Sequence, residues 1–158
     1  KNSYRLILYG NTISNEKWNQ LGLSEIAEYR GWLDYSKDVS TLKDIDVFLQ
    51  LLDDNNVSKA GWPNKLGDYL AFGKPVILSP YGDIIDFVKN EKGFFIVEYN
   101  KYSILKILQE IKDIPYSDLK TMGYANRQLA EKISWKNRAK NIEYICNKIR
   151  FNNETVKN

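Results

Sequence analysis

The sequence predicts an α/β fold, in which a doubly wound and mainly parallel sheet carries helices on both faces. Two observations support it. Five short runs of apolar, β-branched and aromatic residues recur along the 158 residues, and helix-like segments alternate with the later runs. Several runs are almost continuously hydrophobic, as strands covered on both faces require. The length corresponds to about one domain, because single domains commonly have roughly 100–200 residues.

The predicted strands follow from these runs, which end at glycines or polar turn residues. They span residues 5–10, 27–33, 46–52, 75–79 and 93–98. The first, third and fourth runs are the most continuously apolar, so we expect both faces of those strands to be covered. The carboxyl ends of parallel strands are where such folds bind ligands.

The predicted helices have the periodicity and end signals of amphipathic segments. They span residues 64–72, 82–88, 103–112, 117–132 and 135–151. Pro63 and Gly73 bracket the first helix, and Ser134 is expected to cap the last. The last helix carries an apolar stripe that we expect to pack on the domain: Trp135, Ala139, Ile142, Cys146 and Ile149. Residues 1–151 should then form one domain and 152–158 a frayed tail.

The composition excludes several classes of function. With no histidine and a single cysteine, the chain cannot form Ser-His or Cys-His nucleophilic sites, a Cys-x-x-Cys metal site or an internal disulfide. Cys146 is expected to be a small buried hydrophobe. No basic segment interleaves with aromatic residues, so nucleic-acid binding is not predicted. No run suits a membrane span or a signal peptide, which favours a cytoplasmic location.

Charge is uneven along the chain. The net charge is +3, and residues 120–158 hold nine Lys and Arg against three Asp and Glu. The basic face of the last helix is interpreted either as a solvated surface or as a peripheral contact with anionic lipid.

The polar loop at 53–63 leads directly into the helix at 64–72, which suits an anion such as a phosphate. The backbone N–H groups of Lys65 and Leu66 should be unpaired donors at a positive helix end, and Lys65 adds a charge. Asp68, on the same side one turn later, can accept hydrogen bonds from two vicinal hydroxyls. The alternative is that Asn64 only caps the helix, Lys65 is only solvated, and Asp68 is only an acid near a positive helix end.

Residues 61–77, GWPNKLGDYLAFGKPVI, resemble the donor-binding signature of glycosyltransferase family 4. Other blocks follow in the order seen in that family. These are the strand ending at Gly10, Arg30-Gly31-Trp32, Asp46-Val47-Phe48, Pro80-Tyr81-Gly82, and Ala125 to Ala130 followed by Ser134-Trp135. The resemblance covers nearly the whole chain.

The resemblance implies one Rossmann-like half of a GT-B architecture, the half that binds a nucleotide-diphosphate sugar. Lys65 and Leu66 would hold the diphosphate and Asp68 the ribose. Trp32 and Leu33 would contact the base edge through their backbone. In addition, Tyr81 and Gly82 would lie near the phosphates or sugar, and Gly10 and Asn64 belong to the same donor-binding set. For Trp32 the alternative is a core aromatic, and for Gly10 a strand end.

Three departures from the family pattern matter. Ala60 replaces a second acid that contacts the donor sugar in many members. Asp68 is one methylene shorter than the usual Glu. A basic pair that neutralises the diphosphate precedes the position of Gly10 in the family and is missing from this sequence. Lys59 is expected to compensate in part.

The function implied is retaining hexosyl transfer to a glycan or lipid-linked acceptor in polysaccharide biosynthesis, with no cofactor and no metal. No residue here is assigned a catalytic role. The acceptor would be bound by a separate amino-terminal domain, so these residues alone should be inactive. The alternatives are a non-catalytic phosphate- or nucleotide-binding regulatory module, for instance with Asp53 and Asp54 as phosphoacceptors, and a GT-B epimerase, which the absence of histidine disfavours.

Overall fold

The structure is a computed structural model that describes residues 4–11 and 13–155, with side chains described as far as residue 150. The chain divides into two compact units, Lys1–Ile45 and Asp46–Asn158.

The first unit is built on a parallel strand pair. It contains, in order, β1 (Leu6–Leu8), α1 (Asn15–Gln20), β2 (Ala27–Tyr29) and a 3-10 turn (Val39–Asp44). Leu6 pairs with Ala27 in the ladder. Helix α1 begins at Ser14, whose hydroxyl accepts a hydrogen bond from the Lys17 N–H at 3.2 Å. Strand β2 ends early because Gly31 takes a positive φ of 71°, which other residues rarely adopt.

The second unit holds a three-stranded parallel sheet in the order β3-β4-β5. Its elements are β3 (Phe48–Gln50), α2 (Asn56–Ala60), α3 (Asn64–Ala71), β4 (Val76–Leu78), α4 (Ile84–Val88), β5 (Phe94–Ile96), α5 (Lys101–Lys112), α6 (Tyr116–Lys132) and α7 (Trp135–Thr155). Phe48 stacks on Tyr69 of α3 with ring centroids 4.3 Å apart. Ile77 packs with Ile111 of α5. Since Phe48 pairs with Val76, the neighbour of Ile77, the two helices cover opposite faces of the sheet.

Strand β4 is the centre of this core. Val76, Ile77 and Leu78 are all fully buried, whereas Leu49 of β3 and Ile96 of β5 are exposed. The expectation that the first and third strands are covered on both faces is therefore wrong. In the described part of the chain β1 pairs with β2 and β3 with β4, and the side chains of β1 and β3 are only partly covered.

The five predicted strands and their parallel pairing are confirmed, although each hydrogen-bonded segment is only three residues long. The described strands form two ladders, one in each unit, rather than a single one. Helices α1 and α2 were not predicted. Their sequences are mostly polar, and the capping residues Ser14 and Asn55 were the only local signals.

Helix α6 is fixed against the rest of the second unit by polar contacts. Asn126 is fully buried, and its Nδ2 donates to the carbonyls of Lys74 (2.8 Å) and Gly93 (2.9 Å), which precede β4 and β5. The Arg127 guanidinium donates to the carbonyl of Ala71 at the end of α3, at 2.5 Å. These bonds hold α3 and the amino ends of both strands in place.

Helix α7 departs from the prediction. Ser134 does cap it, since its hydroxyl accepts from the Asn137 N–H at 3.4 Å. However, Ile142, Cys146 and Ile149 are exposed, so the stripe does not pack on the described part of the chain, and Cys146 is not a buried hydrophobe. The helix continues through Thr155, so residues 152–155 are helical rather than frayed, and 156–158 lie outside the described residues.

Candidate functional site

The carboxyl ends of β3 and β4 are joined by Ser79. Its side chain is buried, and its hydroxyl accepts a hydrogen bond from the Leu52 N–H at 2.8 Å. Its own N–H donates to the Gln50 carbonyl at 3.2 Å. Ser79 therefore holds the starts of the loops that follow β3 and β4 next to each other. Sequence reasoning gave Ser79 no role, and its position at the end of an apolar run was the only signal.

These two loops contact each other at Gly82. Gly82 has a positive φ of 82°, and a Cβ atom placed there would lie 3.0 Å from the Ser58 carbonyl oxygen and 3.1 Å from that of Lys59. Only glycine fits this conformation and this close approach without strain. The structure thus places Gly82 against the backbone of Lys59, whereas the sequence predicted a role for the Lys59 side chain.

Helix α3 begins in the same region. Pro63 is its N-cap and offers no side-chain hydrogen bond, so the interpretation of Asn64 as the cap is wrong. Asn64 and Lys65 are exposed, and within the described part of the chain no hydrogen-bond acceptor meets their backbone N–H groups. The Leu66 N–H, in contrast, donates to the Pro63 carbonyl at 3.0 Å and is not an unpaired donor as expected.

Asp68 lies one turn beyond Asn64 on the same side of α3, as residues four apart do. It is half-buried, next to Tyr69. The pKa of Tyr69 is raised first by burial of its phenol and then by the negative charge of Asp68. The Leu66 side chain is fully buried, so that only its backbone could face a ligand.

Lys59 is already engaged by a carboxylate. Its Nζ lies 2.5 Å from Oδ1 of Asp54, and this hydrogen bond raises the pKa of Lys59. Both side chains are more than half exposed, so the pair contributes little to stability. A phosphate at Lys59 would have to compete with Asp54, which weakens the expectation that Lys59 compensates for missing basic residues.

Tyr81 extends the polar surface toward β5. Its hydroxyl donates to Oε2 of Glu98 at 3.2 Å. Burial and then this hydrogen bond raise the pKa of the Tyr81 phenol.

The remaining predicted site residues lie in the first unit. The Gly10 N–H donates to the Gly31 carbonyl at 2.8 Å, and the Tyr29 hydroxyl donates to the Gly10 carbonyl at 3.0 Å. Trp32 and Leu33 lie in the loop after β2 and not within that strand. Trp32 is 74% exposed, which rules out the core-aromatic alternative, and Leu33 is half-buried.

The described residues contain no group of three or more cysteine and carboxylate side chains that could hold a metal ion. None of the helices they form combines the length and the apolar composition that crossing a membrane requires.

The sequence matches no protein family profile and no curated protein. Solved structures do match. Sucrose-phosphate synthase from Thermosynechococcus elongatus superposes with a TM-score of 0.70 over 91% of this chain, at 16% identity. HepE from Anabaena in complex with UDP gives a TM-score of 0.59 over 80% of this chain, at 15% identity, and its complex with UDP-glucose gives 0.60 at 13% identity.

The chain spans 38% of the length of the synthase and 35% of that of HepE. At these identities the likeness establishes the fold. It is a mixed α/β fold with parallel sheets flanked by helices, and it matches the Rossmann-like fold of these GT-B structures. The predicted fold class is confirmed.

Proposed function

We propose that this chain is the donor-binding domain of a retaining glycosyltransferase that resembles family 4 and binds a nucleotide-diphosphate sugar. The observation that carries the proposal is the exposed start of α3, where Asn64 and Lys65 present open N–H groups beside the loops that follow β3 and β4. A helix amino terminus of this kind favours a phosphate. Support comes from the fold it shares with HepE, which has been solved with UDP and UDP-glucose.

In this proposal different residues of the second unit bind different parts of the donor. The N–H groups of Asn64 and Lys65 bind the diphosphate, and the Lys65 ammonium adds charge. The Leu66 N–H already donates to the Pro63 carbonyl. The diphosphate contact expected of Leu66 is therefore assigned to Asn64 and Lys65. The Asp68 carboxylate accepts hydrogen bonds from the ribose hydroxyls. Tyr81 and Gly82 flank the phosphates or the sugar. The roles of Lys59, Gly10, Trp32 and Leu33 stay predictions.

The chemistry proposed is hexosyl transfer with retention, without a metal or a cofactor. It depends on positioning and on stabilisation of the leaving diphosphate. A further domain would hold the glycan or lipid-linked acceptor against the anomeric carbon. Positioning accounts for about 7–11 kcal/mol of such barriers, so these residues alone should transfer no sugar. The proposed setting is polysaccharide biosynthesis in the cytoplasm, at the inner face of a membrane.

The test is binding of UDP and of GDP, measured by calorimetry and thermal shift. Ligand at about 100 times its Kd should stabilise the chain by about 2.7 kcal/mol, which raises Tm by several degrees. Asp68→Ala should weaken the favoured nucleotide roughly 10- to 150-fold, because the lost hydrogen bonds involve a charged acceptor. The matched control is Asp86→Ala, which removes an exposed carboxylate of α4 that forms an ion pair with Lys89, and which should leave the affinity unchanged.

Two outcomes would contradict the assignment. One is the absence of a shift with either nucleotide at millimolar concentration. The other is an Asp68→Ala variant that binds nucleotide normally but melts at a much lower temperature, since Asp68 would then be a structural residue. Binding of a phosphate-mimicking anion with magnesium, without any nucleotide binding, would instead favour the regulatory module.

A further inference from the structure

Four polar side chains gather where the three parallel strands of the second unit end. Strands β4 and β5 stay paired up to that edge, since the Val97 N–H donates to the Leu78 carbonyl at 2.9 Å. Glu98 follows directly, Tyr81 lies in the loop after β4, and the segment between β3 and α3 supplies a carboxylate and an ammonium. This edge cluster consists of Asp54, Lys59, Tyr81 and Glu98. Folds of this kind bind ligands at the carboxyl ends of their strands.

Hydrogen bonds hold the two carboxylates of the edge cluster in place. The Tyr81 hydroxyl donates to Oε2 of Glu98 at 3.2 Å, and Nζ of Lys59 lies 2.5 Å from Oδ1 of Asp54. The pKa of the Tyr81 phenol is raised first by burial, then by Glu98, and less by the charge of Asp54, so both carboxylates act on the same phenol. Within the described part of the chain, Oε1 of Glu98 accepts no hydrogen bond. One oxygen of a positioned carboxylate is therefore left for a ligand.

The edge cluster adjoins the start of α3 through Gly82. A Cβ atom on Gly82, the residue after Tyr81, would lie 3.1 Å from the Lys59 carbonyl oxygen and 3.6 Å from that of Gly61. Gly61 lies three residues before Asn64, where α3 begins. The edge cluster and the start of α3 are therefore neighbouring parts of one surface.

The two parts of this surface differ in charge. The edge cluster has two carboxylates and one ammonium and is net negative, whereas the start of α3 combines a positive helix end with the Lys65 ammonium. Phosphate groups are attracted to the start of α3 and repelled by the edge cluster. Neutral hydroxyl groups are not repelled, and carboxylate oxygens accept strong hydrogen bonds from them. The edge cluster thus suits the uncharged, hydroxyl-rich part of a nucleotide-diphosphate sugar.

We propose that Glu98, positioned by Tyr81, binds hydroxyl groups of the sugar that the donor carries, while the diphosphate lies at the start of α3. The inference rests on the proposed function and deepens it, because it separates the sugar subsite from the phosphate subsite. Oε1 of Glu98 accepts from the sugar hydroxyls. The Tyr81 hydroxyl bonds to Oε2 and fixes the direction of the carboxylate. Tyr81 is therefore a positioning residue, and Glu98 selects the sugar by the pattern of its hydroxyl groups.

The test is calorimetric binding of UDP and of UDP-glucose to the chain, or of GDP and GDP-glucose if GDP is the nucleotide bound. Glu98→Gln should weaken UDP-glucose roughly tenfold and leave UDP unchanged, because the charged acceptor is lost for the sugar only. Tyr81→Phe should weaken UDP-glucose roughly threefold, also without an effect on UDP. The matched controls, Glu143→Gln on α7 and Tyr124→Phe on α6, change an exposed carboxylate and an exposed phenol and should bind both ligands as the parent does.

Glu98 is exposed and Tyr81→Phe keeps the aromatic ring, so the melting temperatures of both variants should stay close to that of the parent. A Glu98→Gln variant that binds UDP-glucose as tightly as the parent would overturn the inference. So would an equal loss of affinity for UDP and UDP-glucose, because Glu98 would then act on the nucleotide or on the fold. In both cases normal binding of UDP by the parent leaves the proposed function standing. A parent that binds neither UDP nor GDP would overturn the proposed function and this inference together.

Discussion

Helix α6 is held to its unit along its length, whereas α7, the next helix in the chain, contacts that unit through its first turn and is exposed from residue 138 to residue 150. The buried residues of α6 are Gly123, Asn126 and Leu129, of which only Leu129 is a large apolar residue. Within residues 135–150, helix α7 has large apolar side chains as well, and those of Trp135, Ile142, Tyr144, Ile145 and Ile149 are all exposed. In α6, a small residue and a polar residue are buried because they fit against the backbone of neighbouring elements. Apolar content by itself did not decide which helix packs.

Truncating one apolar residue in each helix should give the largest difference in stability between α6 and α7. Leu129→Ala removes a side chain that is 4% exposed and should lower the free energy of unfolding by about 2–5 kcal/mol. Ile142→Ala, the matched change in α7, should alter it by less than about 0.5 kcal/mol. Urea unfolding measures both. Similar losses of unfolding free energy in the two variants would show that α7 packs in solution and would contradict the difference between the two helices.

The close approach of α6 to the end of α3 gives the second prediction. A Cβ atom on Gly123 would lie 2.1 Å from the carbonyl oxygen of Gly73, so Gly123→Ala must push two backbones apart. We expect a loss of about 1–3 kcal/mol, seen as a lower Tm. Gly67→Ala in α3 is the control. Its Cβ meets nothing within 4 Å, and alanine in a helix should add about 0.5–1 kcal/mol. A Gly123→Ala variant as stable as the parent would refute the tight contact.

The smallest effect concerns Arg127. Arg127→Ala removes the hydrogen bond to the Ala71 carbonyl and the ion pair with Glu131. Because the side chain is about half exposed, solvent screening limits the expected loss to about 0.5–1 kcal/mol. Lys140→Ala in α7 should cause no measurable loss of stability. Thermal unfolding followed by calorimetry measures both variants. If both substitutions were neutral, α6 would depend only on packing and on Asn126.

Much of the fold could be predicted from local patterns. The apolar runs placed all five strands, and Pro63, Gly73 and Ser134 placed the limits of α3 and the start of α7. These signals work because backbone propensity and capping act over a few neighbouring residues. Helices α1 and α2 escaped prediction because each has only five or six mostly polar residues, too few to show an amphipathic period.

The candidate site, too, could be predicted from the sequence only in part. The position of α3 after a polar loop was visible in the sequence and led to Asn64, Lys65 and Asp68. The bond from the Leu66 N–H to Pro63 and the pairing of Lys59 with Asp54 were not visible, and both reduce the set of groups left to bind a phosphate. Residue type reveals which groups could bind an anion. Hydrogen-bond geometry decides which of them are still available.

The sequence by itself determined the order and type of the main elements and the segment where a phosphate could bind, since these depend on periodicity, on glycine and proline, and on caps within a few residues. The tertiary structure alone decided that Asn126 joins the starts of β4 and β5, that Gly82 lies against the end of α2, and that the stripe of α7 stays open. Such contacts join residues far apart in the chain. An apolar stripe has the same pattern whether or not a complementary surface meets it.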